Sequence, residues 1–265
     1  MRILKYILIG LIQGLTEPLP ISSSAHMVFL NEYLGLEKMN LETEIFVNFA
    51  SCLAIMIFFF KDLITLIKNT FTNNKSHYLN RKYFFNIIIA SIPAGVIGIL
   101  FNDYIDKYFL NSFTCSICLI LTSIVLFYSF FKIKKGSCVN EEITTGSAFW
   151  IGLFQGIAVV PGLSRSGLTL SAGLSQDCTI KRTLKFSFFL YIIASIGAFV
   201  LAIIKLNFYS IDIIPTCVAF ISAFVATSFS IRWFFNKLDM RKIKFFGLYC
   251  LIVGLLNIFI YFLTR

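Results

Sequence analysis

The chain has 265 residues, of which 58% are hydrophobic and 14% are charged, and its mean hydropathy is +0.84. Soluble domains are roughly 45–50% apolar and about 25% charged, so this composition excludes a soluble globular protein and indicates an integral membrane protein. The formal net charge of +10 is also typical of nucleic-acid-binding proteins. The distribution of the charges along the chain distinguishes this alternative from a membrane protein.

The apolar segments predict an all-α polytopic membrane protein. A membrane-spanning helix needs about 20 predominantly apolar residues, and the long apolar runs lack the alternation of a membrane β-strand. Two further segments are apolar overall but contain Pro, Gly and runs of Ser, which interrupt a helix within the membrane. In chain order the predicted elements are a re-entrant segment at 3–30, spans at 44–60, 84–101 and 112–131, a second re-entrant segment at 146–175, and spans at 186–204, 213–231 and 245–263.

Most positive charges lie in four of the loops between these elements. These loops hold 16 of the 23 Lys and Arg residues, and they are 61–83, 132–145, 176–185 and 232–244. Positively charged loops mark the cytoplasmic side of a membrane protein. The net charge therefore reflects orientation, and no nucleic-acid partner is expected. With this orientation, segment 146–175 enters and leaves on the cytoplasmic face, and segment 3–30 does so on the outer face.

The two re-entrant segments are similar to each other in sequence. Residues 11–24 align without gaps with residues 153–166, at an offset of 142. Each copy is followed by three spans, and an odd number of spans turns the copies to opposite sides of the membrane. We therefore predict two inverted-topology repeats, 1–131 and 146–265, within one integral membrane domain. This architecture alone favours a transporter over an enzyme.

Ionisable residues are rare inside the predicted membrane segments. Each costs about 2.5–3.5 kcal/mol on insertion, so those that are retained are functional candidates. Apart from Lys5 and Glu44, which lie at the ends of their segments, there are three, Glu17, His26 and Arg165, and all lie in the re-entrant segments. The alternative is that Arg165 only pairs with Glu17 and that nearby hydroxyls satisfy freed backbone groups. The polar residues that accompany the three are Gln13, Ser22, Ser23, Ser24, Ser164, Ser166 and Thr169.

These residue types suggest an anion site beside a cation site. The guanidinium of Arg165 offers a planar fork for phosphate oxygens, and Gly162 and the start of the next helix offer backbone N–H groups to the same anion. Gln13 and Glu17 are four residues apart, so both lie on one helix face. Their oxygens suit a hard divalent cation such as Mg²⁺ or Ca²⁺, with phosphate and water as the remaining ligands.

His26 supplies a group that titrates near neutral pH. It can protonate a leaving phosphate oxygen or deprotonate a nucleophile. Ser23 lies within one turn of His26 if this stretch is helical, so a Ser/His pair is geometrically feasible. A serine of the second segment and an activated water are the alternative nucleophiles.

Two motifs resemble those of a known family. The segment Gln13-Gly-Leu-Thr-Glu17 resembles an (E/Q)xxxE motif and continues as Leu19-Pro-Ile-Ser-Ser-Ser-Ala-His26. The segment Pro161-Gly-Leu-Ser-Arg-Ser-Gly-Leu-Thr169 resembles a PGxSRSxxT motif. In this order, and in a polytopic chain of this length, they resemble the undecaprenyl-diphosphate phosphatase family, also called bacitracin-resistance proteins. The resemblance covers essentially the whole chain.

The resemblance implies an enzyme that hydrolyses the C55 isoprenoid diphosphate to the monophosphate and inorganic phosphate. Such an enzyme requires a divalent cation and recycles the lipid carrier of cell-wall synthesis. The chain departs from the family pattern at Pro18, at Ser24-Ala25 and at Tyr191-Ile-Ile193, which lacks the usual proline, but no reactive group is lost. The roles implied by the resemblance are metal binding and acid/base chemistry for Gln13 and Glu17, hydrolysis by the pair Ser23 and His26, and a diphosphate cradle of Ser164, Arg165, Ser166 and Thr169. From the residues themselves we add Ser22, Ser24 and Gly162 to the substrate-binding set, and we predict catalysis by Glu17, Ser23, His26 and Arg165.

Two classes of function remain at this point. One is a membrane phosphatase acting on an isoprenoid diphosphate lipid, and the other is a lipid-phosphate or anion transporter built on the same repeats. Either would lie in the bacterial cell membrane among membrane lipids, and we expect the phosphatase site to open to the outer face. A homodimer is compatible with the sequence, which does not select an oligomeric state.

Overall fold

The computed structural model describes residues 2–33, 41–72, 77–205 and 212–263. Within these ranges the regular secondary structure is helical, apart from one isolated bridge between Asn140 and Cys178, and turns and short loops connect the helices. The prediction of an all-α protein is therefore confirmed. The helices are α1 (Arg2–Thr16), α2 (Ser23–Tyr33), α3 (Leu41–Phe58), α4 (Phe60–Phe71), α5 (Tyr78–Phe109), α6 (Ser112–Lys134), α7 (Thr145–Ile157), α8 (Arg165–Ser175), α9 (Ile180–Lys205), α10 (Ile213–Lys237) and α11 (Met240–Leu263).

Five of these helices are long and apolar enough to cross a membrane, namely α5, α6, α9, α10 and α11. The described residues contain a sixth candidate if α3 and α4 are counted as one bent span. Each of the last five predicted spans lies within one of these helices. The chain is thus a multi-pass membrane protein, as its composition predicted.

The first predicted span differs from the structure at its end. We predicted a span at 44–60 followed by a basic loop at 61–83, whereas the helix bends by 72° after α3 and continues as α4. Phe59 lies at the bend and is 2% exposed. Its ring meets Phe189 and Phe235 edge-on, at centroid distances of 5.7 and 5.0 Å. Aromatic side chains from α9 and α10 therefore hold the bend in place.

Each predicted re-entrant segment is a pair of short helices joined by a turn. Residues 17–22 separate α1 from α2, and residues 158–164 separate α7 from α8. The first turn contains Pro18 and Pro20 and the second contains Pro161. Proline lacks the N–H that a continuing helix needs, so the predicted interruptions are confirmed. The two helices of each pair contact each other, but the membrane face on which each pair enters stays a prediction.

Glycines allow the first helix of each pair to approach a long helix closely. Gly10 and Gly14 lie against α10, and Gly152 and Gly156, 142 positions later, lie against α5. A β-carbon on Gly152 would come within 2.4 Å of the carbonyl oxygen of Ala90. Small residues four apart are typical of closely packed membrane helices. The same packing at matching positions agrees with the internal repeat, whose inverted topology stays a prediction.

Gly152→Ala is expected to destabilise the protein by about 1–3 kcal/mol, because the added methyl group overlaps backbone atoms of Ala90 and must separate α7 from α5. The measurement is thermal unfolding of the purified variant in detergent. Gly197→Ala is the matched control, since a β-carbon on Gly197 in α9 meets nothing within 4 Å. Equal unfolding temperatures for the two variants would contradict this account of the α5–α7 contact.

Candidate active site

A buried cluster of polar side chains lies where the turn after α1 meets the start of α8. Glu17 is 7% exposed, and its Oε1 accepts a hydrogen bond from Nη2 of Arg165. Its Oε2 accepts hydrogen bonds from Nε2 of Gln13 at 2.8 Å and from Oγ of Ser23 at 2.5 Å. The structure therefore brings four of the predicted site residues together around one carboxylate. Glu17 and Arg165 are 148 positions apart in the chain.

Local sequence explains how the turn presents these groups. The backbone N–H of Glu17 still bonds to the carbonyl of Gln13 at 2.9 Å, so the two side chains lie on the same face one helical turn apart. The following prolines end the helix, and Ser22 adopts a φ of 63°. This left-handed conformation is uncommon for a residue with a side chain. It directs the chain into α2, which begins at Ser23.

The second motif forms the start of α8. The hydroxyl of Ser164 caps the helix by accepting a hydrogen bond from the N–H of Gly167 at 3.2 Å. Ser166 donates to the carbonyl of Leu19 at 3.0 Å, and the N–H of Gly162 donates to Oγ of Ser24 at 3.1 Å. These bonds join the two re-entrant pairs. They hold Arg165, the first residue of α8, against Glu17.

All six of the predicted substrate-binding residues make hydrogen bonds within the framework of this structure. Ser22 and Ser24 hydrogen-bond to each other through their hydroxyls at 3.1 Å. Thr169 is fully buried, and its hydroxyl bonds to the carbonyl of Arg165 at 2.8 Å and to the hydroxyl of Ser187 at 2.6 Å. Thr169 thus braces α8 against α9, so we expect it to act on a ligand through Arg165.

His26 has different partners from those predicted. Its Nδ1 lies 2.8 Å from the carbonyl oxygen of Ser22, and its Nε2 lies 2.7 Å from the hydroxyl of Tyr249 on α11. Because a carbonyl only accepts, Nδ1 carries the proton, and Nε2 of the neutral imidazole accepts from Tyr249. Ser23 bonds to Glu17 instead. The Ser23–His26 hydrogen bond that we considered is absent from the described side chains.

The region that contains these motifs matches a known protein family. The family model described as bacitracin resistance protein BacA matches residues 6–256. The chain belongs to this family. The matched region includes both re-entrant pairs and the whole Glu17–Arg165 cluster.

Three curated relatives of this BacA-family chain are named undecaprenyl-diphosphatase. A Bacillus cereus protein named undecaprenyl-diphosphatase 1 is 39% identical over 263 residues, which are 97% of each chain. The undecaprenyl-diphosphatase of Oceanobacillus iheyensis is 37% identical over 96% of this chain and 95% of its own. Undecaprenyl-diphosphatase 1 of Bacillus licheniformis is 35% identical over 96% of each chain.

The side-chain oxygens of the BacA-family site suit a cation only if a bound phosphate supplies further oxygen ligands. Among the described residues, no three His, Cys, Asp or Glu side chains lie close enough together to hold a metal ion. Gln13 and Glu17 offer amide and carboxylate oxygens, which are the ligands of Mg²⁺ and Ca²⁺. Mg²⁺ is commonly bound by one or two carboxylates together with substrate phosphates and water. The two side chains therefore fit a cation that is shared with a phosphate.

Sequence reasoning did not find two aromatic residues that touch the BacA-family site. Tyr249 bonds to His26, and the ring of Tyr191 on α9 lies 4.0 Å from the guanidinium carbon of Arg165. The chain contains 11 Tyr and 31 Phe residues, so an aromatic residue in a span carries little information. In the sequence, Tyr191 was named only as the first residue of a stretch that departs from the family pattern, and no role was predicted for its ring.

Proposed function

We propose that this chain is an integral membrane phosphatase that hydrolyses undecaprenyl diphosphate to undecaprenyl phosphate and inorganic phosphate. In this role it would recycle the lipid carrier of cell-wall synthesis. The observation that carries the proposal is the buried cluster of Arg165, Glu17, Gln13 and Ser23 at the junction of the two re-entrant pairs. The family and the names of its relatives favour a phosphatase over the transporter considered from the sequence.

Arg165 is the group that we assign to diphosphate capture. Its planar fork can bind two phosphate oxygens side by side, and it sits at the first turn of α8, where backbone N–H groups favour an anion. In this structure it pairs with Oε1 of Glu17. An incoming diphosphate would replace Glu17 as the partner of Arg165 and so free that carboxylate oxygen.

Ser23 is the nucleophile that the geometry favours, and Glu17 is its proton acceptor. The Ser23 hydroxyl already donates to Oε2 of Glu17 at 2.5 Å. In the proposed step, Oγ of Ser23 bonds to the terminal phosphorus, its proton passes to Glu17, and the bond from phosphorus to the bridging oxygen breaks. Undecaprenyl phosphate leaves. The proton held by Glu17 leaves with the released products. Water then attacks the phosphorus of the phosphoserine, one proton of the water passes through Glu17 to Oγ of Ser23, and the bond from phosphorus to Oγ breaks to release inorganic phosphate.

His26 is placed to assist the leaving group. Its Nε2 accepts a hydrogen bond from the hydroxyl of Tyr249, a residue that is 40% exposed, while the carbonyl of Ser22 holds the other side of the ring. In its cationic form His26 also carries a proton on Nε2, and we assign this form the stabilisation or protonation of the departing phosphate oxygen. This assignment gives Ser23 and His26 separate partners, whereas the sequence suggested that they act as a pair.

We propose Gln13 and the freed Oε1 of Glu17 as the protein ligands of a divalent cation, Mg²⁺ or Ca²⁺. Bound there together with a phosphate oxygen, the ion would neutralise charge that builds up on the transferred phosphoryl group. Gln13 now donates to Glu17. Rotating its amide by half a turn would present the oxygen instead.

We propose that the site opens to the outer face of the bacterial cell membrane. The support is the charge pattern, because 16 of the 23 positive residues lie in four loops that the positive-inside rule places in the cytoplasm. The first re-entrant pair, which carries Glu17 and His26, then enters from the opposite face.

Purified protein in detergent is expected to release inorganic phosphate from undecaprenyl diphosphate, and from the shorter farnesyl diphosphate, when Mg²⁺ or Ca²⁺ is present. EDTA should abolish the release and added Mg²⁺ should restore it, because the cation and Arg165 together balance the charge of the phosphates. The measurement is colorimetric phosphate release over time. A folded protein that moves the lipid across vesicles but releases no phosphate would support the transporter instead.

A further inference from the structure

The ring of Tyr191 forms a buried platform beneath Arg165. The guanidinium carbon of Arg165 lies 4.0 Å from the ring centroid, well within the distance of about 6 Å at which a cation is attracted to an aromatic face. Tyr191 is 2% exposed. The Arg165 side chain is 26% exposed, so the contact is partly shielded from solvent and its attraction is stronger than at a fully exposed site.

The platform is itself fixed in place from the other end of the ring. The Tyr191 hydroxyl donates to the backbone carbonyl of Asn48 on α3 at 3.0 Å, and Oδ1 of Asn48 lies 3.4 Å away. Ser195, one turn further along α9, donates to the same Oδ1 at 2.7 Å. Asn48 therefore joins α3 to α9 and sets the position of the ring.

Arg165 contacts Tyr191 and Glu17 through different atoms of its guanidinium. The guanidinium carbon lies over the ring of Tyr191, whereas Nη2 donates to Oε1 of Glu17. A guanidinium presents its N–H groups in its own plane as donors for an anion. When a diphosphate replaces Glu17 at these donors, the contact with the ring need not change, so Arg165 would exchange one anion for another without losing its place.

We infer that Tyr191 is a positioning residue for Arg165, which keeps the guanidinium at the site while its partner changes from Glu17 to the substrate diphosphate. The inference rests on the proposed function, since it assumes that Arg165 binds the diphosphate. Asn48 and Ser195 act one step further away by holding the ring. The platform lies in the stretch Tyr191-Ile-Ile193 of α9.

The test compares Tyr191→Leu, which removes the ring, with Tyr191→Phe, which keeps the ring and removes only the hydroxyl. Tyr191→Leu should weaken binding of a non-hydrolysable farnesyl methylenebisphosphonate by about 10-fold and raise KM by a similar factor. Tyr191→Phe should stay within about 3-fold of the unaltered protein, because the face contact remains. Binding is measured by calorimetry in detergent, and kcat and KM by phosphate release.

Tyr83→Leu is the matched control for loss of a buried ring beneath an arginine. Arg182 lies 4.4 Å from the ring centroid of Tyr83, which is 6% exposed, so this pair resembles Arg165 on Tyr191 but contains none of the site residues. Tyr83→Leu should bind the analogue as the unaltered protein does. Unchanged binding in folded Tyr191→Leu, or an equal loss in Tyr83→Leu, would overturn the inference.

The binding measurement also separates this inference from the proposed function. If the unaltered protein binds the bisphosphonate but releases no phosphate, the phosphatase assignment fails while the comparison of Tyr191→Leu with Tyr191→Phe still decides the role of the ring. If the protein hydrolyses the lipid and both Tyr191 variants bind and turn over normally, the phosphatase assignment stands and the platform is refuted.

Discussion

Arg165→Ala is expected to lower kcat/KM for undecaprenyl diphosphate by about 100-fold or more, as is typical for loss of one contact to charge that develops in a transition state. Arg165 is the residue that bonds to Glu17 across the two re-entrant pairs, and it supplies the proposed phosphate fork. Arg165→Lys keeps the charge but loses the fork, so it should recover only part of the activity. The measurement is phosphate release by the purified variants in detergent.

The Arg165 experiment needs a control for folding, because removing one partner of a buried ion pair can destabilise a protein by about 3–5 kcal/mol. The double variant Arg165→Gln with Glu17→Gln removes both charges, so it should fold better than Arg165→Ala while staying inactive. Lys132→Gln is the charge control, since Lys132 pairs with Asp177 at 2.8 Å outside the site. Near-normal hydrolysis by folded Arg165→Ala would refute the proposed mechanism.

Glu17→Gln is expected to lower kcat by about 100-fold or more, because it removes the proton acceptor of Ser23 and the only charged cation ligand that we propose. The substitution keeps the size of the side chain, so the hydrogen-bonding positions around it are largely preserved. The Mg²⁺ concentration that gives half-maximal activity should also rise. Both quantities come from phosphate release measured across a Mg²⁺ titration.

Glu142→Gln is the matched control for Glu17→Gln. Glu142 pairs with Lys82 at 2.7 Å at an exposed position, so the variant loses the same charge away from the cluster. It should keep nearly normal kcat and an unchanged Mg²⁺ requirement, because exposed ion pairs contribute little. If Glu17→Gln behaves like Glu142→Gln, Ser23 must lose its proton to another group and Glu17 is only structural.

Several features could be predicted from the sequence because their causes are local. Hydropathy over about 20 residues predicted the spans, since lipid requires a continuous apolar helix. Proline in the turns predicted the interruption of both re-entrant segments, because Pro18 and Pro161 cannot donate a backbone hydrogen bond. The spacing of Gln13 and Glu17 predicted that they share a helix face, because residues four apart do so, and the hydrogen bond between them agrees with this prediction.

Other features depended on contacts between distant parts of the chain. Tyr249 meets His26 from 223 positions away, and Asn48 holds Tyr191 from 143 positions away. The bend at Phe59 likewise depends on rings from α9 and α10. No local pattern distinguishes these residues from the many other aromatic side chains of the spans.

The sequence by itself determined the class of protein, the two motifs and the residues able to carry the chemistry. Tertiary structure decided which of them are partners: Ser23 with Glu17 rather than His26, His26 with Tyr249, and Arg165 between Glu17 and Tyr191. The reason is physical. Composition and spacing set the helices and their faces, whereas side-chain partners depend on how closely and in which register the helices pack, which here is set by contacts such as Gly152 against Ala90.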